Sequence, residues 1–257
     1  MGNKKINLFG YEFESSTMSE ILQEIKTIVK ENRKVHLHTV NVDHIVIAQR
    51  DCSFDNIIKN ADLVVADGMP IVWLSKLKKR GIPERVTGID LSKELCALSS
   101  TTGFKLFFLG AAEGVAAEAK KNMENIYPGV NIVGHYSPTP NEINNESSSL
   151  NIVHRINESG ANILLVALGA PRQEFWISKY FDELNTNLNI GVGATLDFLA
   201  NNVKRAPKWM QNSGLEWLFR IIQEPKRMIK RYIIQDFVFF KLAIKEVFQR
   251  KYESDKL

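Results

Sequence analysis

The sequence predicts an α/β fold: a Rossmann-like, largely parallel sheet flanked by helices, with a helical appendage at its C-terminal end. Three observations predict it. Short apolar, β-branched runs alternate with helical patterns up to about residue 200, as strand–helix–strand units with helices on both faces require. Strand signals stop near Asn201, beyond which aromatic and basic residues follow a helical pattern. The 257 residues are 44% hydrophobic and 24% charged, which suits a large folded domain and excludes a disordered chain. The expected division is an α/β domain over 1–200 and an appendage over 201–257.

The elements follow in order. Ile21, Leu22, Ile25, Ile28 and Val29 recur with the helical period, so Met18–Glu31 is a helix. Strands are expected at Val35–Val40, Leu63–Ala66, Lys105–Leu109, Asn131–His135, Ile163–Leu168 and Asn189–Val192, with helices filling the gaps. The Ala-rich stretch Gly114–Tyr127 is a helix stopped by Pro128-Gly129. Pro138–Ser149 is polar and turn-rich, and reads as an exposed loop leading into the next helix. Pro225 is placed to open a last helix. On that helix Lys226, Arg227, Lys230, Arg231, Lys241 and Lys245 share an arc of roughly 140° at about 100° per residue. Tyr232, Ile233, Phe239 and Phe240 lie opposite.

Charge is unevenly placed. From Lys204 onward there are 13 Lys+Arg against 6 Asp+Glu, whereas the preceding chain has 20 against 23. A basic, aromatic-rich helix suits an anionic membrane surface, and equally suits a helix docked on its own domain with a solvated basic face. The 2 cysteines form no CxxC pair, so neither a disulfide framework nor a Cys-based zinc site is expected. There is no signal-peptide pattern and no apolar run long enough to span a bilayer. The expected location is cytoplasmic and peripheral on the inner face of the membrane.

Open parallel sheets bind ligands beyond the carboxyl ends of their strands, so functional residues are sought there. Thr39 and Asn41 follow the first internal strand and share a face by the period of two. They suit a sugar or ribose, although Asn41 or Asp43 equally suits capping of a helix from His44 onward. Asp67 ends an apolar strand, where burial would raise its pKa and make it a better base. It also suits the cap of a helix opening at Pro70. Arg85 can clamp a phosphate or carboxylate, or form a surface salt bridge with Glu84 or a neighbour. The turn at Gly110, in Leu109-Gly-Ala-Ala-Glu-Gly114, can present N–H groups to a diphosphate, although Glu113 opposes an anion there. Gln173 opens a helix where it can hydrogen-bond a substrate, while Glu174 complements the helix dipole.

No metal or other cofactor is expected. His36 and His38 alternate on a strand, but no third ligand is close in sequence, and no Asp-x-Asp motif occurs. Neither a P-loop nor a full dinucleotide fingerprint is present, which weighs against a Rossmann oxidoreductase. A nucleic-acid binder would use the basic tail, but the aromatics there are crowded among Ile, Val and Leu, so no nucleic-acid partner is expected.

Together these segments resemble the WecG/TagA/CpsF family of bacterial glycosyltransferases. The resemblance runs from about Ile6 to Tyr232 through HTVNVDHIV, ADLVVADGMPIVW, PERVTGIDL, LFFLGAAEGVAAEA, LGAPRQEFW, GVGATLDFLA and RAPKWMQNSGLEWLFRIIQEPKR, seven motifs in order. It implies inverting, metal-independent transfer of a sugar, typically N-acetylmannosamine, from a UDP donor to N-acetylglucosaminyl-diphospho-undecaprenol. It implies Asp67 as catalytic base, Thr39, Asn41 and Gln173 in the sugar pocket, and Arg85 near the donor. Tyr136 and Asp197 would help hold the nucleoside. Arg220, Arg227 and Arg231 would fold over the site and neutralise the departing UDP. Leu196 stands where Phe is common, and Met69-Pro70 is closer to the capsule and exopolysaccharide branch, which leaves another UDP-hexose open as donor. Exposed apolar surface on an undocked tail would support a homo-oligomer.

Overall fold

In the computed structural model, described for residues 5–77, 81–223, 225 and 238–247, the chain opens with a hairpin. Strands β1 (Lys5–Leu8) and β2 (Tyr11–Glu14) pair antiparallel across Phe9-Gly10, both at positive φ, 57° and 82°. Two such residues make the turn whose twist matches a hairpin. This hairpin was absent from the sequence-based expectations.

Next come α1 (Met18–Lys30), β3 (Val35–Val40), α2 (Val42–Ala48), α3 (Cys52–Lys59), β4 (Leu63–Ala66) and α4 (Met69–Ser75). They are followed by α5 (Gly88–Thr102), β5 (Lys105–Gly110), α6 (Val115–Ile126), β6 (Asn131–Tyr136), α7 (Pro140–Asn144) and α8 (Glu146–Glu158). Then come β7 (Ile163–Ala167), α9 (Arg172–Lys179), β8 (Leu188–Gly191), α10 (Thr195–Leu199), α11 (Lys208–Asn212) and α12 (Glu216–Gln223). A further helix, α13, occupies 238–247.

The expected strands are present to within a residue or two at their ends. They form one six-stranded, all-parallel sheet ordered β4-β3-β8-β7-β5-β6. One expectation is corrected. Pro138–Ser149 is largely helical, because Thr139 and Glu142 form a reciprocal capping box and Pro140 fills the first turn of α7. Asn145 then caps α8.

Alternation along each strand sends side chains to two cores. Leu37, Val65, Leu106, Phe108, Leu165 and Ile190 meet α1, α5, α6 and α10 on one face. On the other, Phe107, Leu109, Leu164 and Val166 meet α8 and α9, while Val40, Val64 and Ala66 meet the hairpin, α2, α3 and α4.

Helix α13 docks on this second core. Phe239 is buried with its ring 5.5 Å from that of Phe9, and Phe9 N–H donates to Glu246 at 3.1 Å. Phe240, Ile244 and Val247 stay exposed. Own-domain docking therefore holds for this part of the tail. Arg227 and Arg231, with Lys226 and Lys230, lie outside the described residues.

Candidate active site

Register decides which strand ends meet. Val40 pairs with Ala66, so Asn41 and Asp67 leave the sheet side by side. His38 pairs with Gly191, which brings the turn after β8 to the same mouth. Gly68 lies against Asn41, whose Cα and Cβ are 3.7 and 3.8 Å from the position a Gly68 Cβ would take.

Asp67 is not the cap of α4. Gly68 holds that position, with no side-chain hydrogen bond, and Pro70 sits in the first turn. The Asp67 backbone N–H donates to Val40 O at 2.8 Å, which fixes the turn. Its side chain is only partly open to solvent. Burial raises its pKa to about 7, against the opposing charges of Arg85, His44 and Arg220. A carboxyl balanced near neutrality beside three cationic groups has the properties of a general base.

Asn41 does cap a helix, α2, which starts at Val42 rather than His44. Its Oδ1 accepts from Asp43 N–H at 2.9 Å and His44 N–H at 3.3 Å. Thr39 is buried and donates to Gly191 O at 3.1 Å, which ties β3 to the β8 turn. Gln173 is buried too. Its Oε1 accepts from Gly193 N–H at 2.9 Å and its Nε2 donates to Glu174 at 2.7 Å. Thr39 and Gln173 thus brace the mouth with protein contacts of their own.

Glu174 does more than complement the dipole of α9. It is buried and meets His44 Nε2 at 3.2 Å. Burial works against both charges, but this hydrogen bond and its charge outweigh it. The His44 pKa is raised and the Glu174 pKa lowered. The His36 and His38 rings meet below at a tilt of 48°, with His38 Nε2 3.2 Å from His36 Nδ1, and burial drives both pKa values down, that of His36 to about 3. They are neutral partners of one another. Among the described residues no group of three or more His, Cys, Asp or Glu is placed to hold a metal.

Arg85 does not pair with Glu84. It reaches Glu216 of α12 at 3.1 Å, and Arg205 Nε reaches the same carboxylate at 3.3 Å. Arg205 also forks onto Asp90 of α5 at 2.5 and 2.7 Å. Glu84 instead accepts from Met18 N–H. Gly214, at φ 74°, turns the chain between α11 and α12, and a Cβ there would meet Trp73 of α4 at 2.8 Å. Residues 205–220 are thereby fastened over the Asp67 mouth. Arg220 lies 5.2 Å over the Phe198 ring and within electrostatic reach of Asp67.

Burial opposes the Asp90 charge, but the Arg205 fork and the Thr87 hydroxyl outweigh it, holding the pKa below its ordinary value. A lowered carboxylate pKa stabilises the fold above the unfolded value, about 3.9, and that contribution is lost as pH falls through the folded pKa. Arg205→Ala is therefore expected to lower the melting temperature at pH 7. The deficit should shrink below about pH 4. Melting curves across pH check this, and a deficit unchanged in acid would contradict it.

The remaining candidates lie elsewhere on the same sheet edge. A cleft of about 920 Å³ opens beyond β7, β5 and β6, lined by Ala111, Tyr136, Ser137, Arg155, Leu168 and Arg172 among others. Gly110, at φ 110°, lies next to this lining, and its carbonyl accepts from the Ser137 hydroxyl at 3.1 Å. A Cβ at Gly110 would fall 2.5 Å from Ala167 O, so only glycine permits this turn. Arg155 stacks 4.4 Å over the Tyr136 ring, whose hydroxyl donates to Glu142. Asp197 lies in the first turn of α10, partly exposed, after β8. The structure thus joins Asp67, Asn41, Thr39, Gln173, Arg85 and Arg220 in one cluster and places Gly110 and Tyr136 in a second. His44, Arg205, Asp90 and Glu216 enter as residues that sequence reasoning missed, and Glu174 enters in a role beyond the dipole.

The description "Glycosyl transferase WecG/TagA/CpsF family" matches residues 6–253. A relative from Bacillus spizizenii, named N-acetylglucosaminyldiphosphoundecaprenol N-acetyl-beta-D-mannosaminyltransferase, is 28% identical over 239 residues, covering 93% of this chain and 90% of the relative. One of the same name from Staphylococcus aureus is 26% identical over 237 residues, covering 91% of each. With a match across nearly its whole length, the chain belongs to the WecG/TagA/CpsF family and is a glycosyltransferase.

Proposed function

We propose that this enzyme transfers N-acetylmannosamine from a UDP donor to N-acetylglucosaminyl-diphospho-undecaprenol, with inversion and without a metal. The supporting observation is Asp67, poised near neutrality among Arg85, His44 and Arg220. Asp67 removes the proton from the acceptor hydroxyl as that oxygen attacks the anomeric carbon. The sugar–phosphate bond breaks on the opposite side, and UDP departs with its charge. Arg220, joined by Arg227 and Arg231, offsets that charge.

Three steps along the sheet order separate β4 from β7, about 14 Å at roughly 4.8 Å per step. A nucleotide sugar spans such a distance. Its nucleoside would lie in the 920 Å³ cleft by Tyr136, its diphosphate near Gly110, and its sugar at Asp67. Asp197 would complete the nucleoside contacts.

The appendage, 201–257, closes this site and docks on an anionic membrane face. Trp209, Trp217, Leu218 and Ile222 are exposed, at 64, 43, 38 and 69%. No helix of the described residues is long and apolar enough to cross a bilayer. The same apolar side chains are the surface through which copies would self-associate.

The test is a UDP-release assay with a soluble analogue of the lipid-diphosphate acceptor, a panel of UDP-sugars and EDTA. Release with UDP-N-acetylmannosamine alone is expected. Release with another UDP-hexose would replace the donor. Dependence on added divalent metal would overturn the metal-free mechanism.

A further inference from the structure

The Asn41 amide is held from one side only. Its Oδ1 lies 2.9 Å from Asp43 N, 3.3 Å from His44 N and 2.9 Å from His44 Nδ1. Its Nδ2 has no protein acceptor among the described residues. The two backbone N–H groups settle which end of the amide is oxygen, and His44 Nδ1 is a third donor only where it carries a proton.

The third of those donors depends on Glu174. His44 Nδ1 also lies 3.4 Å from the Asn41 backbone N–H, which could only be accepted by an unprotonated Nδ1. Glu174, buried and 3.2 Å from His44 Nε2, favours the doubly protonated ring. Both ring nitrogens then donate, and the shorter 2.9 Å bond to Asn41 Oδ1 is the one made. Glu174 is itself held by Gln173 Nε2 at 2.7 Å. The groups facing the ring are Glu174 on α9, Asp43 on α2, His38 on β3 and Asp67 after β4.

We infer that Glu174 and His44 are positioning residues that lock the Asn41 amide with its Nδ2–H donors turned to the mouth beside Asp67. The Asn41 amide then offers only donors to the mouth, so this contact recognises an acceptor oxygen of the transferred sugar. This inference rests on the glycosyltransferase reading for the ligand, but the lock itself is a property of the free protein.

Two measurements test it on the full-length enzyme. The first is a titration of the His44 ring by nitrogen NMR without ligand. Its midpoint should lie above the ordinary histidine value and fall on Glu174→Gln substitution. A midpoint unmoved by Glu174→Gln overturns the lock, whether or not any sugar is transferred. The second is a double-mutant cycle in donor KM with Asn41→Ala, His44→Phe and both, each checked for native melting. Each single change should raise KM about tenfold, as loss of a hydrogen bond involving a charged group would. The double variant should be no more than about twofold worse than the poorer single, because both act through one amide. Independent effects, multiplying to about a hundredfold, would overturn the inference. Should wild type transfer no sugar from any donor, the proposed function fails, and the titration alone decides the lock.

Discussion

Asp67→Asn is expected to lower kcat by about 10²–10⁴-fold, the usual contribution of a positioned general base, while UDP affinity is essentially retained. The amide fills the same space beside Gly68 and Asn41 but cannot take a proton. The base works only when ionised. Burial raises its pKa to about 7, so wild-type kcat/KM should rise with pH through that region. Stability moves in the opposite sense. A carboxyl whose folded pKa is raised favours the folded state in acid, and this contribution is lost as pH rises through the folded value. Asp67→Asn should therefore melt at a higher temperature than wild type above pH 7, as catalytic groups held against their ordinary ionisation often do when replaced. Turnover, UDP titration calorimetry and melting at alkaline pH check the three parts. Equal turnover would remove Asp67 from the chemistry.

Arg220→Ala is expected to cost about 10²–10³-fold in kcat, the effect of losing one preorganised donor to developing negative charge. Its place is set by α12, whose Glu216 is engaged by Arg85 and Arg205, and by the Phe198 ring beneath it. Removal of 201–257 should cost at least as much, and should also release the protein from anionic vesicles. A basic residue near such a leaflet contributes up to about 1 kcal/mol, and the segment from Lys204 carries 13 of them. The point substitution separates charge stabilisation from membrane docking, since it removes only one basic group. Single-turnover rates and vesicle co-sedimentation check both. A truncated chain that stays bound and active would refute the role of the appendage.

The parallel sheet was legible because its strands are buried on both faces. Runs such as Leu63–Ala66 and Ile163–Ala167 are therefore continuous apolar blocks that stand out against helical periodicity. The hairpin was not, because Lys5–Glu14 alternates over only four residues each side of a turn containing Phe9, a residue type that turn rules do not favour. Asp67 and Asn41 were found by their position after strands. Deciding whether each one caps a helix needed backbone geometry: Asn41 does and Asp67 does not. Glu174 was visible as the acidic residue of a first turn, where an exposed partner of the dipole is the simplest reading. Its burial follows from packing against α2, 130 residues earlier in the chain. The Arg205–Asp90 fork likewise joins positions 115 apart, and no local pattern carries such a pairing.

The line Asp90–Arg205–Glu216–Arg85 also has a meaning for exchange between relatives. It crosses from α5 and the segment before it into α11–α12, alternating in sign at each step. A C-terminal segment grafted from another family member would bring its own partners for positions 85 and 90 only by coincidence. A mismatch would leave a half-buried charge without its counterpart at the lip of the site, which is costly. The functional module is therefore discontinuous in sequence. Residues 85–90 and 205–220 form one inheritable unit, and donor specificity could be transplanted around it more readily than through it.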